Sequence, residues 1–345
     1  MFVQMNVLIP LAGSGSRFSK VGFQTPKPKI LINDVPMIKL AVDSLNIDGQ
    51  YIFICQRDQN LRSLLEQIKP NCIIIEIDYI TEGAAQTCLL AKQYIDNDFP
   101  LVVSNCDQYL DWDSSRFLET VGSSNEIDGC VVTYETNNVA NSYVQLDEQG
   151  YAVRLAEKEL ISTSGLIGVH YWSKGSDFVS SAEAIIRDNI RAKNEFYVSL
   201  TYNVLIKQGK KIIQHKLSEN EKYHSLGTPE DMFTFTGSGV QKYNLSDYTR
   251  GWFIGNFEPT VLKQSQFEVG VLSHKKDEVW AVHYHSVSKE INVLLEGRMK
   301  VNGLDVNVGD IFVFEPFVIA VPTFLTDCKI LCIKTPSCPG EKVLV

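Results

Sequence analysis

Met5-Asn6-Val7-Leu8-Ile9, running into Pro10-Leu11-Ala12-Gly13-Ser14-Gly15-Ser16-Arg17, decides how this chain is read. The first five residues are a strand signal. Gly13 and Gly15 let the backbone turn tightly and bring its N–H groups against a bound anion. Arg17 adds a planar cation whose donors match phosphate oxygens two at a time, and Pro26-Lys27-Pro28-Lys29 brings two more cations downstream. No Gly-Lys-Ser/Thr follows, so this is not a Walker A loop, and the third glycine of a dinucleotide fingerprint is missing. A glycine turn after the first strand of any α/β domain is the plainer alternative; the downstream lysine favours a phosphate grip.

Beyond the loop, apolar strands alternate with helical patterns up to about residue 235. Tyr51-Ile52-Phe53-Ile54-Cys55, Cys72-Ile73-Ile74-Ile75 and Pro100-Leu101-Val102-Val103 read as strands, with Asn60 to Lys69 and Ala84 to Ile95 as helices between them. Continuous apolar strands separated by helices predict a Rossmann-like α/β domain, 1–240, whose mostly parallel sheet is covered on both faces. Ligands of such sheets bind beyond the carboxyl ends of the strands. The composition changes at Thr236-Gly237-Ser238-Gly239. Residues 250–345 then read as short strands and turns, including a hairpin over Met299–Val306 with an Asn302-Gly303 turn. This predicts a small all-β barrel or jelly roll.

With 345 residues the chain is long enough for two domains. Its net charge of −9 argues against nucleic acid as a partner, while Arg17, Lys20, Lys27 and Lys29 gather local positive charge for a small anion. No apolar run reaches the length of a membrane span, so no membrane partner is expected. The N-terminus has no basic segment ahead of its apolar run, so a signal peptide is not expected. Eight cysteines without a Cys-x-x-Cys pair point to reduced thiols and a cytoplasmic location.

Leu11 to Arg17, with Thr25-Pro26-Lys27 after them, resemble the opening signature of the sugar-phosphate nucleotidyltransferases, in particular those of capsule and surface-polysaccharide biosynthesis. The resemblance runs over about residues 5–235. It implies a nucleoside triphosphate bound by Leu11, Ala12, Gly13 and Gly15, with Gly83 and Gln86 of Thr81–Gln86 at the nucleobase. It places Mg2+ on Asp107, which ends the strand through Val103, and Arg17 and Lys27 on the leaving pyrophosphate. Lys158 would hold the phosphate of a sugar-1-phosphate, and Glu157 and Glu195 would bind the substrate. The reaction implied is in-line attack of that phosphate on the α-phosphorus, by positioning and charge neutralisation. The plainer readings are an aspartate capping a turn at 107, a helix start at Thr81 and a solvated Glu-Lys pair. Two departures stand out: Glu159 replaces the usual proline after Lys158, and Ser225 stands where a second metal-binding aspartate is expected before Gly227-Thr228-Pro229. Another acid, or water, would have to complete the site, or activity is reduced.

Farther on, His283-Tyr284-His285, Glu290 and Gly297 resemble the first cupin motif. Alternate strand residues face one side, so both imidazoles and Glu290 could share a divalent transition metal inside a barrel. The second motif is partial: Gly309 and Pro316 are present, but no histidine follows. Two half-buried histidines in a sugar-binding or structural barrel are the alternative. The expected whole is a nucleotidyltransferase with a cupin domain that requires no covalent intermediate, with a homo-oligomer left open as its assembly. Two other classes stand beside it: a bifunctional enzyme whose second domain isomerises or epimerises the sugar, and a regulatory sugar-nucleotide-binding protein with an inactive transferase site.

Overall fold

The computed structural model describes residues 5–123, 126–237 and 239–345, so Ser238 of the boundary segment lies outside the described residues. The chain divides into two compact units, 1–239 and 240–345.

In the first unit, Leu101–Ser104, Asn6–Pro10, Gln50–Gln56 and Ile73–Ile77 lie side by side and run parallel. Their near-continuous apolar sequences follow from burial on both faces. Within one strand the residues divide by alternation: Leu8, Ile52, Ile54, Leu101 and Val103 enter one apolar cluster, and Val7, Ile9, Tyr51, Phe53 and Val102 enter the other. Helices Ala84–Leu89 and Gly175–Arg187 supply the first cluster, and Met37–Leu45 the second. The sheet then turns antiparallel: Ser164–Trp172 pairs with Leu101–Ser104 and with Gly129–Glu135, Ser142–Leu146 and Ala152–Glu157 extend that side, and Ile212–Lys216 adds a parallel strand beside Gly129–Glu135.

Parallel pairing has one consequence for function. Leu8 lies beside Val103, so the loops leaving Pro10 and Ser104 emerge at the same edge of the sheet, the carboxyl edge where ligands of open α/β sheets bind.

The second unit is strand-rich. Trp252–Gly255, Glu268–His274, Cys328–Thr335, Lys289–Glu296 and Ile311–Phe314 are successive neighbours in one sheet, and Leu304–Val306, Met299–Val301 and Pro322–Phe324 form another. Leu294, Phe314 and Ile330 of the first meet Met299, Val301, Val306 and Phe324 of the second in a common core. At the Met299–Val306 hairpin, Asn302 (φ 49°) and Gly303 (φ 83°) both take left-handed backbone, as a two-residue type I′ turn requires.

Candidate active site

Leu11 and Ala12 are buried and anchor the phosphate-loop candidate through their backbones. The Leu11 N–H donates to Ile54 O at 2.9 Å, and Ala12 O accepts from Gln56 Nε2 at 2.9 Å. Gly15 is left-handed (φ 62°), and a Cβ there would lie 3.2 Å from Lys27 Cβ. Gly13 has open space over its Cα instead, so its lack of a side chain leaves room beside the loop. Gly13, Gly15, Lys27, Gln56 and Asp58 line a cleft of about 340 Å³. Arg17 is exposed and makes no ion pair among the described residues. Burial, with Glu195 and Glu157 nearby, pushes the Tyr197 phenol up to about 12, and the Arg17 charge opposes that shift.

Lys27 and Asp107, eighty residues apart in the chain, meet directly. Lys27 Nζ lies 2.5 Å from Asp107 Oδ2 and also donates to Gly227 O at 3.2 Å. It sits 5.3 Å from the centre of the buried Phe18 ring, which limits where the ammonium can go. The Leu226 N–H donates to Asp107 O at 2.8 Å, tying the segment before Gly227 to this strand end.

Ser225 finds an acid. Its Oγ donates to Asp231 Oδ2 at 3.0 Å, and the same oxygen accepts from Thr228 N at 3.2 Å. Asp231 sits there because Thr228 and Asp231 form a reciprocal capping box at the start of helix Pro229–Thr236. A Cβ on Gly227 would lie 3.3 Å from Ser225 Oγ, 3.6 Å from Asp107 Oδ2 and 3.8 Å from Asp231 Oδ2. Three oxygen atoms thus converge over one bare Cα, with a single cation on Asp107 and none on Asp231 among the described residues. An all-oxygen set with two carboxylates suits a hard cation such as Mg2+. Asp231 was not singled out from the sequence; the Thr-x-x-Asp spacing after Gly227 was the available signal.

Gly83 (φ 139°) has a steric reason. A Cβ would fall 2.4 Å from Phe196 N and 2.5 Å from Phe196 O. That approach closes two backbone bonds, Phe196 N to Glu82 O at 2.8 Å and Ala85 N to Phe196 O at 3.0 Å. Gln86 turns its Oε1 back to accept from Glu82 N at 2.6 Å. Arg191, also missed in the sequence, clamps the two loops: it pairs with Glu82 at 2.5 Å and stacks 4.0 Å from the Phe196 ring centre. Glu195 follows on this loop and is exposed. Glu157 is held by the hydroxyls of Ser142 (2.6 Å) and Ser199, and burial raises its pKa above the usual carboxylate range. Lys158 takes left-handed backbone (φ 58°) and its ammonium donates to Ala140 O, so it is turned to a carbonyl here.

In the second unit the expected metal cage of His283, His285 and Glu290 is not assembled. Among the described residues no three His, Cys, Asp or Glu side chains gather as metal ligands. His285 Nε2 faces Glu290 at 3.0 Å, and its Nδ1 faces Glu341 at 2.7 Å, so both ring nitrogens are engaged by carboxylates. His283 Nδ1 lies 2.8 Å from Ala281 O; a carbonyl only accepts, so this nitrogen carries the proton.

Residues 7–226 match the nucleotidyl transferase family. Over 245 residues the chain is 26% identical to the bifunctional protein GlmU of Methanocaldococcus jannaschii, covering 70% of this chain and 55% of that protein. The chain thus spans about half the length of that curated relative. The fold is shared with a nucleoside-diphosphate-sugar pyrophosphorylase from Vibrio cholerae RC9 (TM-score 0.57, 22% identity, 67% of this chain and 99% of that one). It is also shared with the inositol-1-phosphate CTP transferase from T. maritima (TM-score 0.54, 14% identity, 70% and 99%). A match over more than half its length, laid on a loop, a strand-end aspartate and a lysine that meet at one sheet edge, makes this chain a member of the nucleotidyl transferase family.

Proposed function

We propose that the first unit transfers a nucleotidyl group from a nucleoside triphosphate to a sugar-1-phosphate, releasing pyrophosphate. We read the product as a nucleotide-activated sugar for bacterial surface polysaccharide, made in the cytoplasm. The observation that carries the reading is the meeting of Lys27 with Asp107, Lys27 itself lining a cleft together with Gly13 and Gly15.

In this reading a phosphate oxygen of the acceptor attacks the α-phosphorus. The bond from that phosphorus to the bridging oxygen breaks, and the electron pair leaves on pyrophosphate. The residues act by position and charge. The backbone of Gly13 to Gly15 and the guanidinium of Arg17 receive the triphosphate, and Lys27 neutralises the leaving group. Asp107 and Asp231, with Ser225 between them and Gly227, are the residues that would hold magnesium. Bound there, the ion would neutralise phosphate charge and fix the α-phosphate for attack. Glu157 and Glu195 accept hydrogen bonds from acceptor hydroxyls, and Lys158, once released from Ala140, meets the acceptor phosphate.

The test is pyrophosphate release across four triphosphates and a panel of sugar-1-phosphates and phosphoalcohols with magnesium. Turnover of one pair is expected. Silence across the panel, with triphosphate still bound, overturns the enzymatic reading in favour of a binding protein.

A second reading, that the 240–345 unit also transforms the sugar, is favoured by the Glu290–His285–Glu341 line, an imidazole placed between two half-buried acids. Conversion of a finished nucleotide sugar by the full chain, lost in His285→Gln, would establish it; no conversion would remove it.

A further inference from the structure

The sheet of the second unit has an outer face that is apolar where it should be polar. Two rows of aliphatic side chains cross four neighbouring strands in register. Val269, Ile333, Ile291 and Val313 form one row; Val271, Leu331, Val293 and Ile311 form the other. Residues directly opposite in antiparallel pairs share a face. The residues next to the rows along these strands, Leu294, Phe314 and Ile330, belong to the core, and successive strand residues face opposite sides, so both rows point the other way. An antiparallel sheet with one face on a core ordinarily alternates apolar inward and polar outward. None of the eight joins an apolar cluster among the described residues, and Ile311 and Val313 are 68% and 48% exposed.

The surroundings have the anatomy of an interface. Two residues before Ile291 on the same face, Lys289 pairs with Glu315 at 2.7 Å; two residues before Leu331, Lys329 pairs with Glu296 at 2.8 Å. Each apolar row is therefore bordered by a self-cancelling ion pair, an apolar centre within a polar rim. Ile311–Phe314 is also the outermost strand of its sheet. Its sequence, Ile-Phe-Val-Phe, carries none of the charges or prolines that blunt edge strands.

We propose that this face is the docking surface for a second copy of the chain, sheet against sheet about a two-fold axis. The rim identifies the occupant. A chain of net charge −9 repels its copy through most of its surface, whereas here the border is neutral and the centre uncharged, as an isologous contact needs. Counting the rows and their rims, four strands by four same-face positions span roughly 19 by 27 Å. That is on the order of 500 Å², the scale of functional patches and the lower range of dimer interfaces.

The test is sedimentation of the full chain from about 1 to about 100 µM. The expected species has twice the mass of one chain. Val293→Lys, at the centre of the patch, and Ile311→Lys, at its exposed edge, should each weaken self-association roughly 100-fold or more. Leu304→Lys, 72% exposed on the other sheet, should leave the dimer intact. A wild-type chain that stays at single-chain mass at the highest concentration overturns the proposal, as does a dimer unaffected by Ile311→Lys. Should Val293→Lys fail to fold, Ile311→Lys decides alone. None of these residues belongs to the transferase site, so pyrophosphate release serves as a separate check on the first unit.

Discussion

Gly83→Ala would place a side chain where the backbone of Phe196 crosses. The backbone there lies at φ 139°, where a Cβ is strained whatever the space, at roughly 1–3 kcal/mol. The new methyl carbon would begin 2.4 Å from Phe196 N and 2.5 Å from Phe196 O, so the 195–197 loop must retreat. Retreat breaks the Phe196–Glu82 and Ala85–Phe196 backbone bonds, at about 1 kcal/mol each and more where the groups stay dry. Together these give roughly 3–6 kcal/mol, which at about 2–4 °C per kcal/mol for a unit of this size lowers the melting temperature by roughly 6–24 °C. Glu195 and Tyr197 travel with Phe196, and Gly83 itself belongs to the expected nucleobase segment, so the KM values for the acceptor phosphate and the triphosphate should both rise. Thermal melting and two-substrate kinetics read both effects. A variant that melts within about 2 °C of wild type with unchanged KM values would refute the close packing of these loops and the placement of Glu195.

Asp107→Asn should reduce pyrophosphate release by roughly 10³-fold or more, with stability lowered by about 1 kcal/mol because the Lys27–Asp107 pair is only partly buried; an unchanged rate would exclude Asp107 from the chemistry. Asp231→Asn should weaken Mn2+ binding, read by electron paramagnetic resonance with triphosphate present, about tenfold, and adding Ser225→Asp should restore it. Thr228→Ala removes the hydroxyl but keeps the Thr228 N–H that holds the Asp231 carboxylate, so it should cost about 1 kcal/mol of stability and weaken the ion less than Asp231→Asn does; equal affinity in Asp231→Asn and wild type would reduce Asp231 to a cap. Burial raises the Glu157 pKa, so its folded state favours the proton, and that stabilisation fades as pH rises through the raised value. Glu157→Gln should therefore gain stability on wild type as pH climbs above the ordinary glutamate range, with the difference closing at lower pH. Denaturant titrations at several pH values would show a flat difference if the carboxyl were not desolvated.

The sequence by itself determined what local patterns encode. Continuous apolar strands split by helices specified a sheet covered on both faces, and the glycine turn and strand-end Asp107 followed from their places on strands. The Asn302-Gly303 turn fixed its hairpin through a backbone requirement local to two residues. Tertiary structure decided which distant groups meet. Asp231 reads along the chain as a helix cap; only the fold carries it to Ser225 and Gly227 beside Asp107. Gly83 is glycine because the Phe196 backbone crosses it, a contact between segments 113 residues apart by number. His283, His285 and Glu290 were rightly expected on strands, but spacing could not reveal that Glu341, fifty-six positions from His285, takes the imidazole's other nitrogen. Alternation sets the direction of a side chain; its partner is set by whatever the rest of the chain brings against it.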